Sequence, residues 1–168
     1  MKGLKYKKPS DSEVIKMEVV CPNDTNPMGI LRGGRLVEWM DIAAAVSAQT
    51  HSNKACVTAS LNRIDIKRPV SVGDRVDIRA RITRAFNTSM EIFVQVFAKK
   101  ISLGKKRPIC EAYFTFVALN EGGKPTRTIA IKPVTASDKK LYSQALIRKN
   151  SGDTGEISTR KRSSPDMA

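Results

Sequence analysis

Asp41 stands in an inhospitable stretch of this chain. In Trp39-Met40-Asp41-Ile42-Ala43-Ala44-Ala45 its carboxylate is set among apolar and very small side chains. An ionised carboxylate taken out of water without a partner is costly, so an acid retained there must be hydrogen-bonded or must serve a reaction. Upstream, Gly33-Gly34 opens the same run. Glycines at a helix start leave backbone N–H donors uncovered and let a ligand approach them closely. A base together with donors for a developing oxyanion is what acyl transfer to water requires. On these residues alone, a plain helix start with a satisfied buried acid is the favoured reading. His51, the single histidine, lies ten residues beyond Asp41, about 15 Å along a helix axis at ~1.5 Å per residue. An intrachain Asp-His dyad is not expected, and His51 is read as a helix-end or substrate-adjacent residue.

Several elements must position these groups. Leu36, Met40, Ala43 and Ser47 recur at helical spacing, with Val37, Asp41, Ala44 and Ala48 on the neighbouring stripe, which predicts a central helix over 35–50. Its small side chains suit a helix enclosed by a curved sheet. Val14-Ile15 and Val19-Val20 mark a first strand over 12–20, ended by the Cys21-Pro22-Asn23-Asp24 turn. Later the period changes to two. Val76, Ile78, Ala80 and Ile82 alternate with charged neighbours, and Met90, Ile92, Val94 and Val96 repeat the pattern. Strands at 56–66 and 108–119 flank them, and Ser137-Asp138 caps a short C-terminal helix over 135–149. One strand, a long helix and then four consecutive strands predict an α+β domain with an antiparallel sheet of about five strands around one helix. The division expected is a basic flexible N-terminus over 1–11, one domain over 12–149 and a disordered basic tail over 150–168.

The net charge is +14 in 168 residues. Four of those charges belong to residues 1–10 and two to residues 148–168, so the body keeps +8. Such a body suits nucleic acid, an acidic surface or a polyphosphorylated small ligand. No basic strand interleaved with aromatics accompanies it, so nucleic acid is not expected as a partner. Cys21, Cys56 and Cys110 match neither a disulfide framework nor a zinc spacing, and a reducing cytoplasm fits them. No apolar run approaches the ~20 residues that a bilayer requires.

The segment Pro22-Asn23-Asp24-Thr25-Asn26-Pro27-Met28-Gly29, followed by Gly33-Gly34 and Trp39-Met40-Asp41, resembles the hotdog-fold acyl-coenzyme A thioester hydrolase family. Val57-Thr58-Ala59-Ser60, Ile64-Asp65-Ile66 with Pro69-Val70, Val72-Gly73-Asp74, Asn87-Thr88-Ser89-Met90-Glu91 and Ala112-Tyr113-Phe114-Thr115-Phe116-Val117 agree in the family's order. The chain departs at Arg32, where the family more often has an aromatic residue or His, and no Gly precedes Thr88-Ser89.

The resemblance implies hydrolysis of medium- to long-chain fatty acyl-CoA to free acid and CoA, with no metal or redox cofactor. It assigns Asp41 as general base or nucleophile and Asn26 as the group that orients water or the thioester carbonyl. Backbone N–H groups after Gly33 and Gly34 would serve the oxyanion. It also implies that Asn26 and Asp41 come from different copies of a homodimer, and that dimers assemble in threes. For the CoA phosphates and pantetheine the candidates are Lys67, Arg68, Arg84, Asn87, Thr88 and Ser89. A noncatalytic acyl-CoA-binding module with a nucleic-acid-contacting tail is the alternative. A hotdog hydratase is disfavoured by the distance between Asp41 and His51.

Overall fold

Alternating apolar positions along three long strands fix the architecture. In the computed structural model, which describes residues 5–152 apart from Arg63 and Leu103, β4 (Arg75–Ala85), β5 (Ser89–Lys99) and β6 (Lys106–Leu119) form an antiparallel centre. β2 (Val14–Val19) adds to β4 and β3 (Ala55–Leu61) to β6, giving the order β2-β4-β5-β6-β3. Val76, Ile78, Ala80, Ile92, Val94, Phe114 and Phe116 turn inward and are buried. Bulges at Thr58/Ser60, Ile82/Arg84 and Val96/Phe97 accompany the sheet's curl.

The sheet wraps α1 (Gly33–Ser52), whose Leu36, Met40, Ala43, Ala44, Ala48 and His51 are buried against it. The five-stranded antiparallel sheet around one long helix is as expected. The helix runs two residues further at each end than 35–50. It starts at Gly33 because Arg32 is held extended with its N–H on the Asp24 carbonyl, 3.0 Å away, and it stops where Asn53 turns left-handed at φ 55°.

Two expectations need correction. Residues 1–11 are not a free arm throughout: β1 (Tyr6–Lys7) pairs in parallel with β7 (Ala130–Ile131), and Lys7 Nζ donates to the Thr50 carbonyl (2.6 Å) and Asn53 Oδ1 (3.1 Å). Ser12 is buried, with its carbonyl accepting from Ser47 Oγ at 2.8 Å. The charge of Lys7 is thus used to close the end of α1. Second, the N-cap of α2 (Ala136–Gly152) is Thr135 and not Ser137, with Asp138 completing the cap from inside the helix. Thr135 Oγ1 accepts from the Asp138 N–H at 3.0 Å and Asp138 Oδ2 accepts from the Thr135 N–H at 2.9 Å, a reciprocal box that sets the cap two residues earlier. α2 lies on the outer face of the sheet and continues to Gly152, past the expected end at 149. The tail expected to be disordered otherwise lies outside the described residues.

Candidate active site

Asp41 projects from the middle of α1, half-buried, toward β3. Thr58 Oγ1 donates to Asp41 Oδ1 at 2.8 Å. The carboxylate is therefore oriented from a neighbouring strand while Oδ2 has no hydrogen-bond partner among the described residues. Thr58 is a hydrogen-bond partner of Asp41 that the sequence reading did not single out. Its partner is 17 positions away in the chain, and only closure of β3 against α1 brings the two together.

Asn26 occupies a hairpin bracketed by the Thr25–Leu31 bridge and tied to the segment before β4 through the Ile30–Ser71 bridge. Its Oδ1 accepts from the N–H groups of Met28 (3.0 Å) and Ile30 (3.1 Å). Its carbonyl side is thus spent on holding the loop. The Nδ2 donors have no acceptor among the described residues, so the group Asn26 can offer a ligand is a donor.

No hydrogen bond joins Asn26 to Asp41 within the chain. Asn26 is fastened near the β2 and β4 edge of the sheet, whereas Asp41 is fastened to β3 at the opposite edge.

Gly33 and Gly34 form the first two positions of α1. Arg32 gives no side-chain cap, and no acidic residue occupies the first turn, so these N–H donors remain available. A Cβ on Gly33 would stand 3.5 Å from Ile66 Cδ1, while one on Gly34 would meet nothing within 4 Å. The open flank is at Gly34.

The six candidate CoA contacts separate. Ser89 lines a groove of about 440 Å³ on the outer face with Ser60, Leu61, Tyr113, Arg148 and Lys149. Asn87 and Thr88 form the adjoining turn, where Asn87 Oδ1 accepts from Arg127 Nε at 3.2 Å. Arg84 is committed elsewhere: its guanidinium lies 4.0 Å from the Tyr142 ring and donates to the Tyr142 carbonyl at 3.1 Å. Lys67 lines a separate hollow of about 60 Å³, and Arg68 is exposed.

Arg148 and Lys149 were not foreseen at this groove. Arg148 makes a two-pronged contact with buried Glu91 (2.9 and 2.7 Å) and lies 3.7 Å from the Tyr113 ring. Desolvation and then the Glu91 partner act on it in opposite directions, and its pKa is raised.

His51 is fully buried at the end of α1 and both ring nitrogens are engaged: Nε2 with the Ile129 carbonyl at 2.8 Å and Nδ1 with Ser12 Oγ at 3.3 Å. A carbonyl only accepts, so Nε2 carries the proton and Nδ1 accepts from the Ser12 hydroxyl. Burial holds the imidazole below its ordinary pKa. A depressed native pKa means that the unfolded chain binds the proton more readily, so stability is unaffected well above about pH 6.5 and falls as pH drops below it. Urea midpoints measured between pH 8 and pH 5 should decline through that window, and His51→Gln should flatten the decline. The thiol of buried Cys110 is pushed up to about 11, chiefly by burial, which leaves it a poor nucleophile. Among the described residues no group of three His, Cys, Asp or Glu is placed to hold a metal, and no helix is long and apolar enough to cross a membrane.

Residues 28–105 match the thioesterase superfamily model. An uncharacterized acyl-CoA thioester hydrolase of Bacillus subtilis is 34% identical over 158 residues, covering 94% of this chain and 89% of its own. A hexameric acyl-CoA thioesterase crystal structure, 34% identical, superposes with a TM-score of 0.85 over 88% of this chain and 95% of that one. The acyl-CoA hydrolase of Staphylococcus aureus, solved in complex with butyryl-CoA, CoA and CoA disulfide, is 32% identical with a TM-score of 0.83 over 88% of this chain and 90% of its own. Three variants of that enzyme, each with one Asn, Asp or Thr replaced by Ala, have also been solved. Those three positions are spaced 15 and 17 apart, the spacing of Asn26, Asp41 and Thr58. On this evidence of sequence, fold and length together, the chain belongs to the thioesterase superfamily and, within it, to the acyl-CoA thioester hydrolases of hotdog fold.

Proposed function

We propose that the chain hydrolyses medium- to long-chain fatty acyl-CoA at a site built by two copies, Asp41 from one and Asn26 from the other. The observation that carries this reading is the division of labour in hydrogen bonds. Among the described residues, Asp41 has one oxygen held by Thr58 and one without a partner, and Asn26 has its oxygen held by its own loop and its donors without partners. A base and a donor are complementary parts of one reaction, yet a single chain fastens them to opposite edges of its sheet.

In the reaction, Asp41 Oδ2 takes a proton as water attacks the thioester carbon, or attacks that carbon itself to form an anhydride that water then cleaves. Asn26 Nδ2 and the free N–H groups at Gly33 and Gly34 stabilise the oxyanion. The C–S bond breaks, and the CoA thiolate leaves with a proton. The groove bearing Ser89, Arg148 and Lys149, with the Asn87-Thr88 turn beside it, offers the phosphates and pantetheine hydroxyls and cations.

The dimer is proposed through the unpaired edge of β3 and the adjoining helix face. Ile42, Val46, Val57 and Leu61 are 44%, 46%, 47% and 38% exposed in the single chain, an apolar strip that flanks Asp41. We assign three such dimers to a hexamer, as in the 34%-identical hexameric neighbour. Together with Met28, 78% exposed beside Asn26, the same strip supplies an apolar lining for a fatty chain. Thiol release measured across an acyl series from C2 to C16 should show kcat/KM rising toward the medium and long chains. A maximum at acetyl-CoA would refute the chain-length assignment, and no thiol release from any acyl-CoA would refute the activity.

A further inference from the structure

β2 presents its apolar side chains outward, the reverse of what an edge strand over a core should do. Its register with β4 sets Val14, Lys16 and Glu18 level with Ala80, Ile78 and Val76, which face α1. Ile15, Met17 and Val19 are thereby turned to the outer face and are 60%, 58% and 50% exposed. Such a stripe on an edge strand invites association unless something covers it.

The charges around the stripe indicate what covers it. On the stripe's own face Arg79 pairs with Glu13, and Arg75 (2.8 Å) and Lys106 (2.7 Å) both reach Asp77. On a chain of net charge +14, each of these three cations lies against a carboxylate of the same molecule, although Arg75 and Lys106 share one. A polyanion or an anionic membrane is drawn by cations without such partners. A second copy of the same basic chain needs the opposite, a contact zone where like charges do not face one another. β2 and β3 are also the two edges of the sheet, so one copy can use both at once.

We infer that Ile15, Met17 and Val19 are the contact through which dimers formed on β3 and α1 join into the hexamer. The inference rests on the hexamer proposed above, because a closed assembly of dimers needs a second contact distinct from the first. Light scattering behind size exclusion tests it with the full chain, the M17E variant and the I15K/M17E double variant, with circular dichroism as the check on folding. The expected result is a hexamer for the unaltered chain and particles of one third its mass for the variants, with unchanged spectra. A hexamer that persists in I15K/M17E overturns the assignment of this stripe while leaving the hexamer standing. Variants that become monomers overturn it as well, since the stripe would then be the dimer contact. An unaltered chain that is only dimeric overturns both. Should the double variant unfold, I15S/M17S, which keeps the strand uncharged, serves the same reading.

Discussion

Asp41→Asn is expected to lower kcat by about 10²–10⁴-fold, the usual contribution of a positioned general base. The substitution keeps the shape of the side chain and an oxygen that can still accept from Thr58 Oγ1, now 2.8 Å away. What it removes is the second oxygen, without a partner among the described residues, to which the proposed reaction gives the proton transfer or the attack. KM should therefore change little, because the acyl chain and CoA are held by other groups, and the oligomer should remain intact. Thiol-release kinetics with acyl-CoA give both parameters. A variant with undiminished kcat would remove Asp41 from the chemistry. Thr58 is the control on orientation, since it reaches the reacting atoms only through Asp41.

The second large effect concerns Asn26, and two substitutions separate its two tasks. Asn26→Asp keeps an oxygen to accept from the Met28 and Ile30 N–H groups but gives up the Nδ2 donors. Its loop should persist, with the melting temperature little changed, while kcat falls about 10²–10³-fold, the loss typical of one oxyanion donor. Asn26→Ala loses the donors and also leaves two backbone N–H groups without their acceptor. Each unsatisfied donor costs about 1–3 kcal/mol if it stays buried, less where water reaches the loop. Asn26→Ala should thus match Asn26→Asp in lost turnover and exceed it in lost stability. Equal activity in Asn26→Asp and the unaltered protein would show that the residue only shapes its loop.

The helix and the long strands were legible because their signals are local. The apolar period of Leu36, Met40, Ala43 and Ser47 and the alternation from Val76 to Ile82 follow directly from backbone geometry, and the structure repeats both. Contacts between distant segments were not legible. Nothing in Tyr6-Lys7 marks a strand, since two residues carry no period, and its pairing with Ala130–Ile131 exists only because the fold brings the ends together. The Thr58–Asp41 bond is hidden for the same reason. Arg84 shows a different failure: as a basic residue near a turn it resembles a phosphate ligand, but its guanidinium is taken up by Tyr142 of α2. Arg148 and Lys149 reach the groove because α2 crosses the outer face, a docking direction that a helical pattern does not specify. At the site itself, Asp41 stood out by its apolar surroundings and Asn26 by resemblance, and the structure adds which atom of each has no partner among the described residues.

The sharing of one site between two copies is tested most directly by mixing the two inactive variants. Asp41→Asn and Asn26→Ala subunits are unfolded together, refolded together and assayed against each protein refolded alone. If Asp41 and Asn26 meet across the dimer, each mixed dimer has one site bearing both substitutions and one bearing neither. Random pairing should then restore about one quarter of normal turnover. If both residues serve a site within one chain, every site in every mixed dimer carries a lesion. Turnover no higher than that of the separate variants, with mixed dimers shown to have formed, would contradict the shared site.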